Sequence, residues 1–245
     1  MAEYQTYDRA RAGVGAEIHE GLRAHMNKVY GLMSVAMVLT GGVAWAVGSS
    51  PELMSIFRNP DTGAMNILGW VVMFAPLGMA LMFGAMINRM SQAAAQLFFY
   101  TFASVMGLSI AWIFQVFTGV SIATTFFATA IAFASLSLWG YTTKRDLSGM
   151  GTFLIMGVVG LIVASLLNLW LQSSGLQFAI SAIGLLVFAG LTAFDTQSIK
   201  NNYLMHASAG DQEWLAKSAI MGALNLYLNF INMFMFLLQF MGNRE

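Results

Sequence analysis

A chain of 245 residues that is 58% hydrophobic and 9% charged lies far from a soluble domain, in which about 25% of residues carry charge. Its 11 Lys/Arg balance 11 Asp/Glu, so no basic surface points to nucleic acid. With no cysteine, disulfides, thiol nucleophiles and thiolate metal centres are excluded.

In chain order, residues 1–28 mix basic and acidic side chains and lack an apolar core, so they are expected to be neither a cleavable signal nor a transit peptide. They are expected to be a cytoplasmic segment. Within it Ile18, Leu22, Met26 and Tyr30 recur at four-residue spacing, which predicts a short interfacial helix feeding the first span.

Seven stretches free of Asp, Glu, Lys and Arg follow: Val29–Val47, Ile67–Ile87, Ala93–Ile113, Val120–Leu138, Thr152–Leu171, Leu176–Phe194 and Ser218–Phe240. Each is long enough to cover roughly 30 Å of hydrocarbon as a helix, and lipid offers no partners to any other backbone geometry. The fold class is therefore an all-α integral membrane protein, with a seven-helix transmembrane domain over 29–241 and a tail at 242–245. The six tryptophans, Trp45, Trp70, Trp112, Trp139, Trp170 and Trp214, fall within about a turn of span ends, as interfacial rings do.

Loop charge sets the expected orientation. The N-terminal segment and the links 88–92, 139–151 and 195–217 together hold nine Lys/Arg, against Arg58 and Arg244 on the other side. The positive-inside rule puts the first set in the cytoplasm, the N-terminus inside and the C-terminus outside. That is the arrangement expected of a multi-pass protein of a bacterial inner membrane.

Several features inside the spans have ordinary structural readings. Pro76 frees the Val72 carbonyl and predicts a kink in span two; a kink can gate, but packing is its commoner use. Gly119 separates spans three and four, and Ser173-Ser174-Gly175 makes the tightest outer turn. Glycines within spans allow close helix approach, the 19 Met fill irregular gaps, and no internal repeat supports an inverted-repeat transporter.

The last span carries Ser218, Gly222, Asn225, Asn229 and Asn232 at 4-3-4-3 spacing, a single stripe on a helix. Such carboxamides must face other helices or water. One reading is interhelical hydrogen bonding at about 0.6 kcal/mol per contact; the other is one wall of a hydrophilic path. Asp195 closes span six and Arg89 lies just past span two, at a depth that permits an ion pair. Rim charges are ordinarily solvated helix ends. If helix six runs on through Thr196, Gln197 and Ile199, however, Asp195 sits a turn inside and needs a partner. Depth counting places Asn229 about eleven residues, roughly 16 Å, into span seven and deeper than Asp195.

Enzyme chemistry finds little here. No histidine lies within the seven apolar stretches, HExxH is absent, no mid-span lysine could hold a retinal, and Asp195 is the single carboxylate near the membrane, so an aspartyl pair is missing. The chain is expected not to be an enzyme and to need no cofactor.

Three segments make the chain resemble the Bax inhibitor-1, or transmembrane Bax inhibitor motif, family in its bacterial branch: GYTTKRDLSG over 140–149, LTAFDTQSIK over 191–200 and LYLNFINMF over 226–234. The likeness extends over nearly the whole chain after the first 20 or so residues. It implies a seven-helix fold with the last helix central, and a pH-sensitive calcium leak in which a carboxylate at the end of helix six pairs with one in helix seven. An Arg after helix two latches onto the first. Asp195, in the FDTQ segment, matches that carboxylate, and is a weak calcium candidate. Arg89, placed by the Phe99-Tyr100-Thr101-Phe102 segment that follows, matches the latch.

The second carboxylate is replaced. Where the family reads LYLDFIN, this chain has Asn229. Two close carboxylates cannot both ionise cheaply and so act as a proton switch; an amide does not titrate and offers a hard cation one neutral oxygen. The resemblance thus implies a calcium-leak protein with an incomplete sensor, calcium being a transported ion and not a resident cofactor. The alternative is a non-transporting regulator of a membrane partner, such as the membrane-bound AAA protease that bacterial relatives restrain.

Overall fold

A computed structural model describes residues 2–59, 62–207 and 211–243, with side chains from Ile18 onward; Arg244, counted in the charge balance, lies outside these. Among the described residues eight α-helices form in chain order: α1 Ala2–Gly48, α2 Pro51–Ser55, α3 Ile67–Met86, α4 Gln92–Ile110, α5 Gly119–Thr142, α6 Ser148–Leu171, α7 Ser174–His206 and α8 Gln212–Met241. Short 3-10 turns, Ile87–Arg89 and Ala111–Gln115, follow α3 and α4. All but α2 are long and apolar enough to cross a membrane, so this is a multi-pass membrane protein.

Helix starts explain themselves chemically. The first N–H groups of a helix lack intrahelical acceptors, and a Ser, Thr, Asn or Asp at the N-cap supplies one. Asn66 accepts from Gly69 N–H, Ser91 from Ala94, Thr118 from Ser121, Ser173 from Leu176 and Asp211 from Trp214. Gly119 indeed opens a new helix. The turn after α6 places Gln172 at φ 46°, where Asn168 caps it by accepting from Ser173 N–H at 3.0 Å. Pro76 lies buried within α3, and Ser109 donates to the Met73 carbonyl nearby.

Two boundaries differ from the sequence reading. α1 runs unbroken into span one, without a separate interfacial helix, because Leu22, His25, Met26 and Val29 form one buried stripe. His25 is consequently inside the first apolar helix rather than outside it, packed on the Tyr203 ring at 4.9 Å. At the other end of the chain, α7 continues eleven residues past Asp195, since Thr196, Gln197, Ile199 and Tyr203 are all buried. α8 starts six residues before Ser218, so the expected 195–217 link is mostly helix.

α8 is the axis. It packs on α7, α1, α5 and α4, while α5 and α6 lean on α7 and α3 packs chiefly on α4. Burial follows: 61% of α8's apolar window is buried, against 17% for α3 and α6. Tyr227, at the middle of α8, is fully enclosed, edge-on to Phe99 and Phe102. Its hydroxyl shares a 2.6 Å hydrogen bond with Thr40 Oγ1, and Thr40 also donates to the Ala36 and Ala103 carbonyls. One hydroxyl cluster therefore ties α1, α4 and α8 together.

With seven spans, the membrane part of α1 begins at the same end as the links α3–α4, α5–α6 and α7–α8. That end, called here the charged end, carries Arg23, Lys28, Arg89, Lys144, Arg145, Lys200 and Lys217.

Candidate functional site

The extension of α7 and the early start of α8 bring Asp195 and Asn229 together. The Asn229 amide donates to Asp195 Oδ2 at 2.6 Å. Asn229 is 4% exposed; Asp195 is half-buried. The depth mismatch disappears because the α7–α8 hairpin projects beyond the apolar stretches: Ile199 packs at Gly222 and His206 stacks on Trp214, which carries the pairing register up to 195 and 229.

Asp195 also lines a crevice of about 280 Å³ at the charged end, together with Asn88, Asn202, Lys217, Ser218 and Asn225. Lys217 is engaged by Glu213 at 2.9 Å. Among the described residues, no hydrogen bond besides that from Asn229 reaches the Asp195 carboxylate. The crevice thus holds the Asp195 carboxylate among amide and hydroxyl groups and one ammonium, that of Lys217, which is paired with Glu213. A calcium ion takes six to eight oxygens, and among the described residues no group of three or more His, Asp or Glu is gathered anywhere.

Beyond Asn229, toward the far end, the α7–α8 seam is packed. Phe230, Ile231, Met233 and Phe234 are buried, Thr192 donates to the Met233 sulfur, and Phe188 lies 5.9 Å from Phe236. The carboxamide stripe breaks at the same level: Asn225 is exposed at the crevice, Asn229 is engaged by Asp195, and Asn232 turns back to its own helix, donating to the Leu228 carbonyl at 2.8 Å. In this conformation the crevice is a dead end.

Arg89 is not brought to the pair. It is exposed in the turn after α3 and makes no ion pair with Asp195; the neighbouring Asn88 faces the crevice instead.

Residues outside the expected set hold the site in shape. Buried Gln197 accepts from Leu147 N–H and donates to the Arg145 carbonyl, both at 2.8 Å. Lys200 donates to the Tyr141 carbonyl at 2.6 Å, and Gly140 lies so close to α7 that a Cβ would come 2.3 Å from the Ala193 carbonyl oxygen. The α5–α6 loop is thereby clamped to α7 one residue from Asp195–Thr196. A second strut runs from Tyr30 to Ser137 at 2.5 Å and from Ser137 to Thr196 at 2.9 Å. In the sequence Gln197 shows only as a carboxamide within the FDTQ segment; its loop partners are set by the tertiary fold.

A central helix with a carboxylate–carboxamide pair opening on a polar crevice defines a class, that of seven-helix membrane proteins with a buried polar centre between the last two helices. The family described as "Inhibitor of apoptosis-promoting Bax1" matches residues 22–245. The chain is 46% identical over 227 residues to a Rickettsia prowazekii protein, covering 92% of each. It is 43% identical over 242 residues to a Caulobacter vibrioides protein, 97% of this chain and 94% of that one. It is 42% identical over 225 residues to the Escherichia coli inner membrane protein YbhL, 92% of this chain and 94% of that one. The chain belongs to the Bax inhibitor-1 family.

Proposed function

We propose that this protein sits in a bacterial inner membrane with its charged end in the cytoplasm, and forms a closed cation leak whose resting seal is the Asp195–Asn229 contact. The excess of Lys and Arg at that end supports the orientation, and the inner-membrane placement follows the name of the Escherichia coli relative. The observation that carries the functional reading is the 2.6 Å amide–carboxylate hydrogen bond at the head of the crevice. A hydrogen bond to a charged acceptor is among the stronger ones. It draws α7 and α8 together at the level where the polar crevice gives way to apolar packing. Calcium is the proposed cargo, attracted by the open side of the Asp195 carboxylate. Because Asn229 does not titrate, this seal lacks the shared proton of a carboxylate pair and responds weakly to pH.

The second reading is a regulator that docks on a membrane partner such as an AAA protease and conducts nothing. The packed seam beyond Asn229 favours it. Calcium entry into dye-loaded proteoliposomes of the purified protein separates the two. The leak reading expects flux above that of empty vesicles, raised by Asn229→Ala, which removes the amide that closes the seal. Flux equal to empty vesicles, with co-purification of the protease from native membranes, contradicts it.

A further inference from the structure

Between α1 and α5 the bundle surface is cleft rather than packed. At the charged end a groove of about 680 Å³ is lined by His19, Arg23 and Asn27 of α1 and by Ser137 and Tyr141 of α5. It passes the neck made by Tyr30 and Phe133 into a second groove of about 520 Å³, walled by Ser34, Gly41 and Ala130 and floored by Phe230 of α8. Small side chains on both walls create the space; a Cβ on Gly41 would meet nothing within 4 Å.

The two halves differ in chemistry. The mouth carries polar and cationic groups. Arg23 is exposed and has no ion-pair partner among the described residues, and none of the described residues lining the mouth is acidic. The inner half is apolar apart from the Tyr30 and Ser34 hydroxyls, of which Ser34 donates to its own helix at the Tyr30 carbonyl and Tyr30 is bonded to Ser137. From Tyr30 to Gly41 the groove runs along eleven residues of helix, roughly 16 Å, which matches half of a hydrocarbon core about 30 Å thick.

We propose that this α1–α5 groove is a lipid site that seats one acyl chain of an anionic phospholipid, with the phosphate held at Arg23. The observations favour this occupant over a partner helix. A helix about 10 Å across would need both walls to separate at the Tyr30–Ser137 bridge, whereas a single chain passes beside it. A cation at headgroup level above a one-leaflet slot is complementary to a phosphate joined to an acyl chain, and membrane-surface basic residues favour anionic headgroups. The occupant would lie against Phe133 and Phe230, and no residue lining the two grooves also lines the crevice, so the site is separate from it.

The test is native mass spectrometry of the delipidated full-length protein, incubated with equal amounts of phosphatidylglycerol and phosphatidylcholine carrying identical acyl chains. The wild type is expected to retain one phosphatidylglycerol in preference to phosphatidylcholine. Arg23→Gln, a surface change that leaves the groove intact, is expected to lower that preference about fivefold, while Gly41→Phe removes retention of both lipids. Ala130→Leu, which narrows the opposite wall, repeats the loss should Gly41→Phe fail to fold. Equal retention of the two lipids by the wild type overturns the proposal, as does an unchanged preference in Arg23→Gln. A polypeptide held by the wild type in place of lipid and released by Gly41→Phe also overturns it.

Discussion

Asn229 of α8 gives its amide hydrogen to Asp195 Oδ2 of α7 across 2.6 Å, and this contact fixes where the polar crevice stops. The amide is buried, so removing it leaves a half-buried carboxylate without its donor. Asn229→Leu is expected to cost roughly 1–3 kcal/mol, measured by denaturant unfolding in mixed micelles. A change under about 0.5 kcal/mol would show that water replaces the amide at no cost.

Gln197 predicts a local rather than a global effect. It satisfies both the Leu147 N–H and the Arg145 carbonyl, and Leu147 is buried. Gln197→Leu leaves those groups unpaired and frees the loop that contains Lys144 and Arg145. Trypsin is expected to cut there in the variant and spare the wild type, with Gln197→Glu intermediate because it keeps the acceptor. Equal cutting of all three would deny the clamp.

Gly140 permits backbone contact between α5 and α7. A methyl group there would meet the Ala193 carbonyl oxygen at 2.3 Å, and backbone cannot swing aside as a side chain can. Gly140→Ala is expected to destabilise by about 1–3 kcal/mol. In Gly41→Ala the same chemical change enters open space, and unfolding should move by less than about 0.5 kcal/mol.

Acid sensitivity of the α5–α6 loop follows from Asp146. Hydrogen bonds from the Ser148 hydroxyl and backbone N–H hold its carboxyl below the usual carboxylate range; the backbone bond is 2.9 Å. A depressed value means that the stabilising contribution is fully present above the ordinary carboxylate value and is lost as the pH falls from there through the depressed one. Asp146→Asn should therefore flatten the acid limb of this loop's protection in amide hydrogen exchange, read after correction for the intrinsic exchange rate. An identical acid limb in both proteins would remove Asp146 from the account.

Arg89 is exposed and apart from Asp195. Arg89→Ala is therefore expected to shift unfolding by less than about 0.5 kcal/mol, as surface substitutions do. A loss above about 1 kcal/mol would reveal a latched resting state unlike the one described.

The seven spans were legible because lipid allows so few alternatives: charge-free runs of 19 to 23 residues can only be helices there. Where helices ended was less legible. The rule that a charge closes a span fails at Asp195, because its cost is offset by Asn229 and the next turns of α7 have α5, α1 and α8 to pack on. The same failure hid His25, whose helix begins below the apolar run. The carboxamide stripe was legible as a stripe, but periodicity cannot tell that Asn229 meets a carboxylate while Asn232 bonds its own backbone. The partnership of 195 and 229 is implied by family resemblance alone; depth counting opposes it, because the continuation of α7 past Asp195 is not visible in the apolar run. Gln197 was the clearest omission, since its two partners lie 50 residues away in a loop.

The central claim is that an amide at position 229, opposite the Asp195 carboxylate, leaves the seal without the shared proton of a carboxylate pair. Calcium flux through proteoliposomes of the wild type and Asn229→Asp, each at about pH 6 and pH 8, tests it most directly. The account predicts that flux through Asn229→Asp changes between the two pH values by more than flux through the wild type. An equal change in the two proteins would contradict it.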